Sequence, residues 1–78
     1  MAEQVKELSY GEKAVGITFN PSNDENVEKV KMLYAQIIDL IDEMRGDGRN
    51  EKARLLSIAV TEAQTAQMWA VKGITWKE

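Results

Sequence analysis

"VEKVKMLYAQIIDLIDEM", residues 27–44, sets Val27, Val30, Tyr34, Ile37, Ile41 and Met44 at alternating steps of three and four. That is the period of one helix face, and Leu33, Ile38 and Leu40 widen the apolar stripe. The flanks punctuate it. Upstream, "NPSNDEN" gathers turn residues around the single proline, Pro21, and Ser22 and Glu25 stand at capping-box spacing. Asp24 and Glu25 would sit in a first turn, where negative charge suits the helix dipole. Downstream, "GDGRN" stops the helix at Gly46, and Asn50 is placed to cap another.

That second helix carries its own pattern. Leu56, Ala59, Ala63, Ala66, Ala70 and Gly73 again step by three and four, a seam of small side chains that lets another helix backbone come close. Beside it runs Leu55, Ile58, Glu62, Thr65, Trp69, Lys72 and Trp76, which puts both tryptophans on one side. Five residues between two long helices dictate an antiparallel hairpin. Each helix would span about 33 Å at 1.5 Å per residue. Ahead of the hairpin, Ser9 and Glu12 have capping-box spacing and Gly16 is a stop, so one or two helical turns are expected between them. The sequence therefore predicts an all-α single domain over 1–78: an N-terminal helical or loop segment at 1–21, a helix at 22–45, a turn at 46–50 and a helix at 51–76.

Composition narrows the function. A chain of 78 residues has room for one domain with a marginal core. It contains no cysteine and no histidine. Disulfides, thiolate metal sites and cysteine nucleophiles are excluded, and the usual zinc ligand and the commonest general base are missing. The net charge of −3 argues against a duplex-DNA partner, which needs a basic face, but leaves room for a small anion held by local cations. No apolar run approaches the roughly 18 residues of a spanning helix, and "MAEQVKEL" lacks the apolar stretch of a signal peptide. A cytoplasmic protein without a membrane partner is expected. The first long helix offers more apolar width than one partner can cover, at roughly 25 cal/mol of forgone stabilisation per Å² left wet. A homo-oligomer is expected, with Ile37, Ile41, Met68, Trp69 and Trp76 at its interface.

Individual residues admit two readings. The tryptophan line either stacks a planar ligand or fills a subunit interface, and the enrichment of tryptophan at interfaces favours the second. Lys72 is either a cation–π or anion contact, or a stem laid over an aromatic surface. Tyr10 follows a cap in a turn-rich segment, placed either to stack on a base or to seal the end of the hairpin. Phe19, with Ile17, reads as an anchor. Lys29 and Lys31, with Lys13 upstream, either meet an anion beside the free N–H groups of a helix start or form a solvated face with Glu25 and Glu28. Asp39, Asp42 and Glu43 read as solvated, since no Asp/Glu-x-x-His motif supports a carboxylate metal site. "GDGRN" lacks the Gly-x-x-x-x-Gly-Lys pattern of a phosphate loop. No nucleophile pairs with a base, so neither catalysis, nor a cofactor, nor a metal is expected.

"SYGEKAVGITFNPS", "KVKMLYAQIIDLID" and above all "AQMWAVKGIT" resemble the small phage proteins that counter CBASS immunity by sequestering cyclic oligonucleotides. The resemblance touches all three segments. It implies two long helices with an N-terminal segment, assembled as a hexamer. It also implies a sponge that binds a bacterial signal such as cyclic GMP–AMP without breaking a bond. Family members hold cyclic dinucleotides in pockets shared by two protomers, where a tyrosine stacks on a base and a lysine of the first long helix meets phosphate. By position these would be Tyr10 and Lys31, with Lys29 as the substitute under a shifted register. Some members take cyclic trinucleotides through an arginine and a threonine of the second helix. The corresponding "SIAVTEAQT" has no arginine, so such a second site would fall to Thr61 and Thr65 alone. The competing reading is an oligomeric helical phage protein that binds and inhibits a host protein through its acidic surface.

Overall fold

Ser9 opens the first helix with a complete capping box. Its hydroxyl accepts from the Glu12 N–H at 3.1 Å, and the Glu12 carboxylate accepts from the Ser9 N–H at 2.8 Å. The computed structural model describes residues 7–78, in which the chain is all-helical: α1 (Tyr10–Val15), α2 (Glu25–Arg45) and α3 (Glu51–Ile74). None of these helices is long and apolar enough to cross a membrane. α1 ends at Gly16, whose φ of 64° is the left-handed conformation that a glycine adopts without strain.

The turn between α1 and α2 is made by its side chains. The Asn23 N–H donates to the Asn20 carbonyl at 3.0 Å around Pro21, and the Asn20 amide donates to the Asp24 carbonyl at 3.1 Å. Here the helix start differs from expectation. Asp24, not Ser22, is the N-cap, its carboxylate accepting from the Asn26 N–H at 2.7 Å, so α2 begins at Glu25 rather than 22. Ser22 serves the turn instead, donating to the Asn20 side chain at 2.7 Å and accepting from the Asp24 N–H at 3.2 Å. Asn50 caps α3 by accepting from the Ala53 N–H at 2.9 Å, and α3 ends at Ile74 with Thr75 as its cap, two residues short of 76.

α2 and α3 run antiparallel, and α1 lies back along α2. The core is small: Val15, Ala35, Ile38 and Val60, with Ala14, Ile17, Tyr34, Ile41 and Ala63 packed against it. Among the described residues, only Ile38 and Val27 are large side chains fully shut from water. At about 1.5–3 kcal/mol apiece, they supply little against the cost of ordering such a chain. The inward stripe of α2 is Val27, Lys31, Ala35 and Ile38. The parallel line Leu33, Ile37, Leu40 and Met44 faces out. On α3 the fully buried positions are Ala53, Val60 and Gln67. Of the small-residue seam, Leu56, Ala59, Ala63 and Ala70 are half-buried, with Ala63 against the core. Ala66 and Gly73 of that seam lie on the exposed side with the tryptophans.

Gly11 permits a close approach of α1 to α2. A Cβ built there would stand 2.1 Å from the Ala35 carbonyl oxygen and 2.8 Å from Asp39 Oδ1. Gly11→Ala must therefore lift α1 off α2, and overpacking of this kind costs about 1–3 kcal/mol. Urea denaturation should show a lowered midpoint with a small change in slope; an unchanged midpoint would mean that α1 contributes nothing to the folded state.

Candidate functional site

Tyr10 stands at the first position of α1, 45% exposed, at the end of the molecule where α2 stops. The Arg45 guanidinium lies over its ring at 5.5 Å from the centroid. Arg45 is itself fixed: Nη2 donates to Asp42 at 2.5 Å and Nη1 donates to the Ser57 hydroxyl of α3 at 3.1 Å. The Asp42 carboxylate, and after it the Tyr10 phenol, holds the guanidinium pKa above its ordinary value. An aromatic face beside a compensated cation suits a planar, electron-rich ring.

Lys31 is at the other end of α1. It is 5% exposed, and its ammonium donates to the Gly16 carbonyl at 3.0 Å and to the Phe19 carbonyl, with the Phe19 ring at 5.6 Å. Both carbonyls belong to the turn that follows α1, where the Gly16 carbonyl also accepts from the Phe19 N–H at 2.9 Å, so the lysine ties this turn to α2. A groove runs alongside, lined by Lys13, Gly16, Phe19, Lys31, Gln67 and Met68. Lys29 is exposed and pairs with Glu25 at 3.7 Å, a surface pair of small energetic weight. Within one chain, then, α1 keeps Tyr10 and Lys31 apart. Thr61 and Thr65 donate to carbonyls one turn back, Ser57 at 3.3 Å and Thr61 at 3.1 Å.

Most of the line that carries the tryptophans is exposed, Thr65 being half-buried. Trp69 is 67% and Trp76 62% exposed, and Met68, Leu55 and Ile58 are exposed as well. The Lys72 ammonium lies 5.7 Å from the Trp69 ring centroid, and Trp76 donates to Glu78 at 3.1 Å. Ile37 is exposed too, whereas Ile41 is partly buried against the chain's own core.

Two acids differ from the sequence reading. Asp39 is not merely solvated: its two oxygens accept from the Ser9 hydroxyl at 2.7 Å and the Gly11 N–H at 2.6 Å. Asp42 is the partner of Arg45. Arg45 escaped notice because its contacts come from residues distant in sequence; its only local signal is the i, i+3 spacing to Asp42. Among the described residues no acidic cluster has the geometry to hold a metal ion.

Compared with known proteins, residues 12–75 match the family described as Acb2/Tad1, hairpin domain. Tyr10 lies just ahead of the matched span. No curated protein and no solved structure gives a significant match.

Proposed function

This chain belongs to the Acb2/Tad1 hairpin-domain family, within which Acb2 is the anti-CBASS cyclic-oligonucleotide sponge, and on that premise we propose that it sequesters cyclic dinucleotides such as cyclic GMP–AMP. The family match over 12–75 is the observation that carries the reading. The protein holds the signal intact, in the cytoplasm of a bacterium under phage infection, and does no catalysis.

The geometry supports a site built from more than one copy. A cyclic dinucleotide is a dianion with two flat bases, so it needs rings and a few cations rather than a basic protein. Tyr10 supplies a ring and Lys31 a charge, at opposite ends of α1. Two of the three N–H donors on the Lys31 ammonium go to carbonyls, and the third is the one for a phosphate. Lys29, exposed on the same helix, is the substitute cation. Tyr10 of one copy and Lys31 of the next complete the pocket. The two uncovered apolar lines, on α2 and on α3, are the surfaces through which copies associate, as a hexamer by the resemblance. A cyclic trinucleotide would engage Thr61 and Thr65 through their hydroxyls.

A nanomolar constant corresponds to about −12 kcal/mol. Two stacked bases at about 1–3 kcal/mol each, with several charge-assisted hydrogen bonds, reach that range. Mixing the protein with 3′,3′-cyclic GMP–AMP should therefore raise its melting temperature. At ligand about 1,000-fold above Kd the stabilisation is about 4 kcal/mol, or about 15 °C or more for a domain of this size. Denaturing the complex should return intact nucleotide. No shift would remove the reading, and linear products would replace a sponge with an enzyme.

A further inference from the structure

Tyr10 sits between the two groups that Asp39 grips. Oδ2 accepts from the hydroxyl of Ser9, and Oδ1 accepts from the backbone N–H of Gly11, so the chain on both sides of the tyrosine is tied to α2. The ring is held separately. Arg45 lies against it, and Arg45 is pinned by Asp42 on its own helix and by Ser57 on α3. The guanidinium side chain is only 19% exposed. One carboxylate thus fixes where the tyrosine starts, and one guanidinium, anchored on two helices, fixes how its ring lies.

We infer that Asp39 and Arg45 are positioning residues for the stacking of a nucleobase on Tyr10. The inference rests on the reading of Tyr10 as the stacking residue. A tyrosine at the start of a six-residue helix would otherwise rotate freely and lose that freedom when ligand binds. Held beforehand, it loses less. The guanidinium also covers one face of the ring by a cation–π contact, which directs the base to the opposite face. Asp42 balances the positive charge, so Arg45 stays on the ring instead of following a phosphate.

The test has a ligand-free arm and a ligand arm. In ligand-free protein with labelled arginine and tyrosine, the Arg45 δ-methylene protons should be shifted upfield by the Tyr10 ring current. The shift should vanish in Tyr10→Ala, and the Tyr10 ring resonances should move in Asp39→Asn. Ordinary Arg45 shifts in the wild type would overturn the inference whatever the ligand does. In calorimetry with 3′,3′-cyclic GMP–AMP, Arg45→Ala should weaken binding about 2- to 30-fold, the range of a cation–π contact, with Arg45→Lys in between. Asp39→Asn should weaken it about tenfold, the loss of one charge-assisted hydrogen bond. Both should leave the sedimentation coefficient unchanged, and neither should add to the loss in a Tyr10→Ala background. Full additivity, or wild-type affinity in both variants, would overturn the inference. A wild type that ignores the nucleotide removes the sponge reading, and the ring-current arm still decides whether the ring is held.

Discussion

Tyr10→Ala is expected to weaken cyclic dinucleotide binding from the nanomolar to the micromolar range or beyond, with assembly intact. The ring is nearly half exposed and takes no part in the core cluster. Its removal therefore costs the fold little; the deletion falls on the ligand. Base–aromatic stacking is worth about 1–3 kcal/mol per base, and the proposed pocket, shared by two copies, would place two such rings against two bases, so the expected loss is about 2–6 kcal/mol. Each 1.4 kcal/mol is tenfold in Kd. Isothermal calorimetry reads the affinity and sedimentation the assembly. Wild-type affinity with an unchanged oligomer would show that the stacking residue lies elsewhere.

Trp69→Ala is expected to act on assembly first. Two thirds of this side chain lies open, beside Met68 and in line with Trp76, Leu55 and Ile58. A water-exposed line of this kind on α3, with Leu33, Ile37, Leu40 and Met44 exposed on α2, is apolar surface that the chain's own core leaves uncovered. Tryptophans at the centre of interfaces cost about 2–4 kcal/mol when truncated, which weakens each contact about 30- to 1,000-fold. The variant should dissociate at micromolar concentration while keeping its helical circular dichroism. Ligand binding should fall with it, since the proposed pocket takes its residues from two copies. A variant that assembles like the wild type would place the interface on another face.

These two residues also mark where the sequence was readable. Apolar period and caps gave the hairpin, because each of those signals is local: Ser9 with Glu12, Gly16, Gly46 and Asn50 act within a turn of where they stand. What the 3.6-residue period does not distinguish is which of two adjacent stripes turns inward. Ile37 and Met44 belong to the outer one, and Lys31, Ala35 and Ile38 to the inner. Lys31 could have been placed inside from its spacing, four residues after Val27 and four before Ala35. Charge made a surface position the natural reading, since nothing local announces the carbonyls of Gly16 and Phe19 that receive it. The same holds for Asp39 and Arg45: their partners are 28 and 30, and 12, residues away. Long-range hydrogen bonds leave no periodic trace.

Sedimentation velocity at micromolar protein, followed at a wavelength where 3′,3′-cyclic GMP–AMP absorbs, tests the central claim most directly. The account predicts one boundary well above the mass of a single 8.8 kDa chain, with the nucleotide moving in it. A folded single chain sedimenting alone, with the nucleotide left behind, would contradict it.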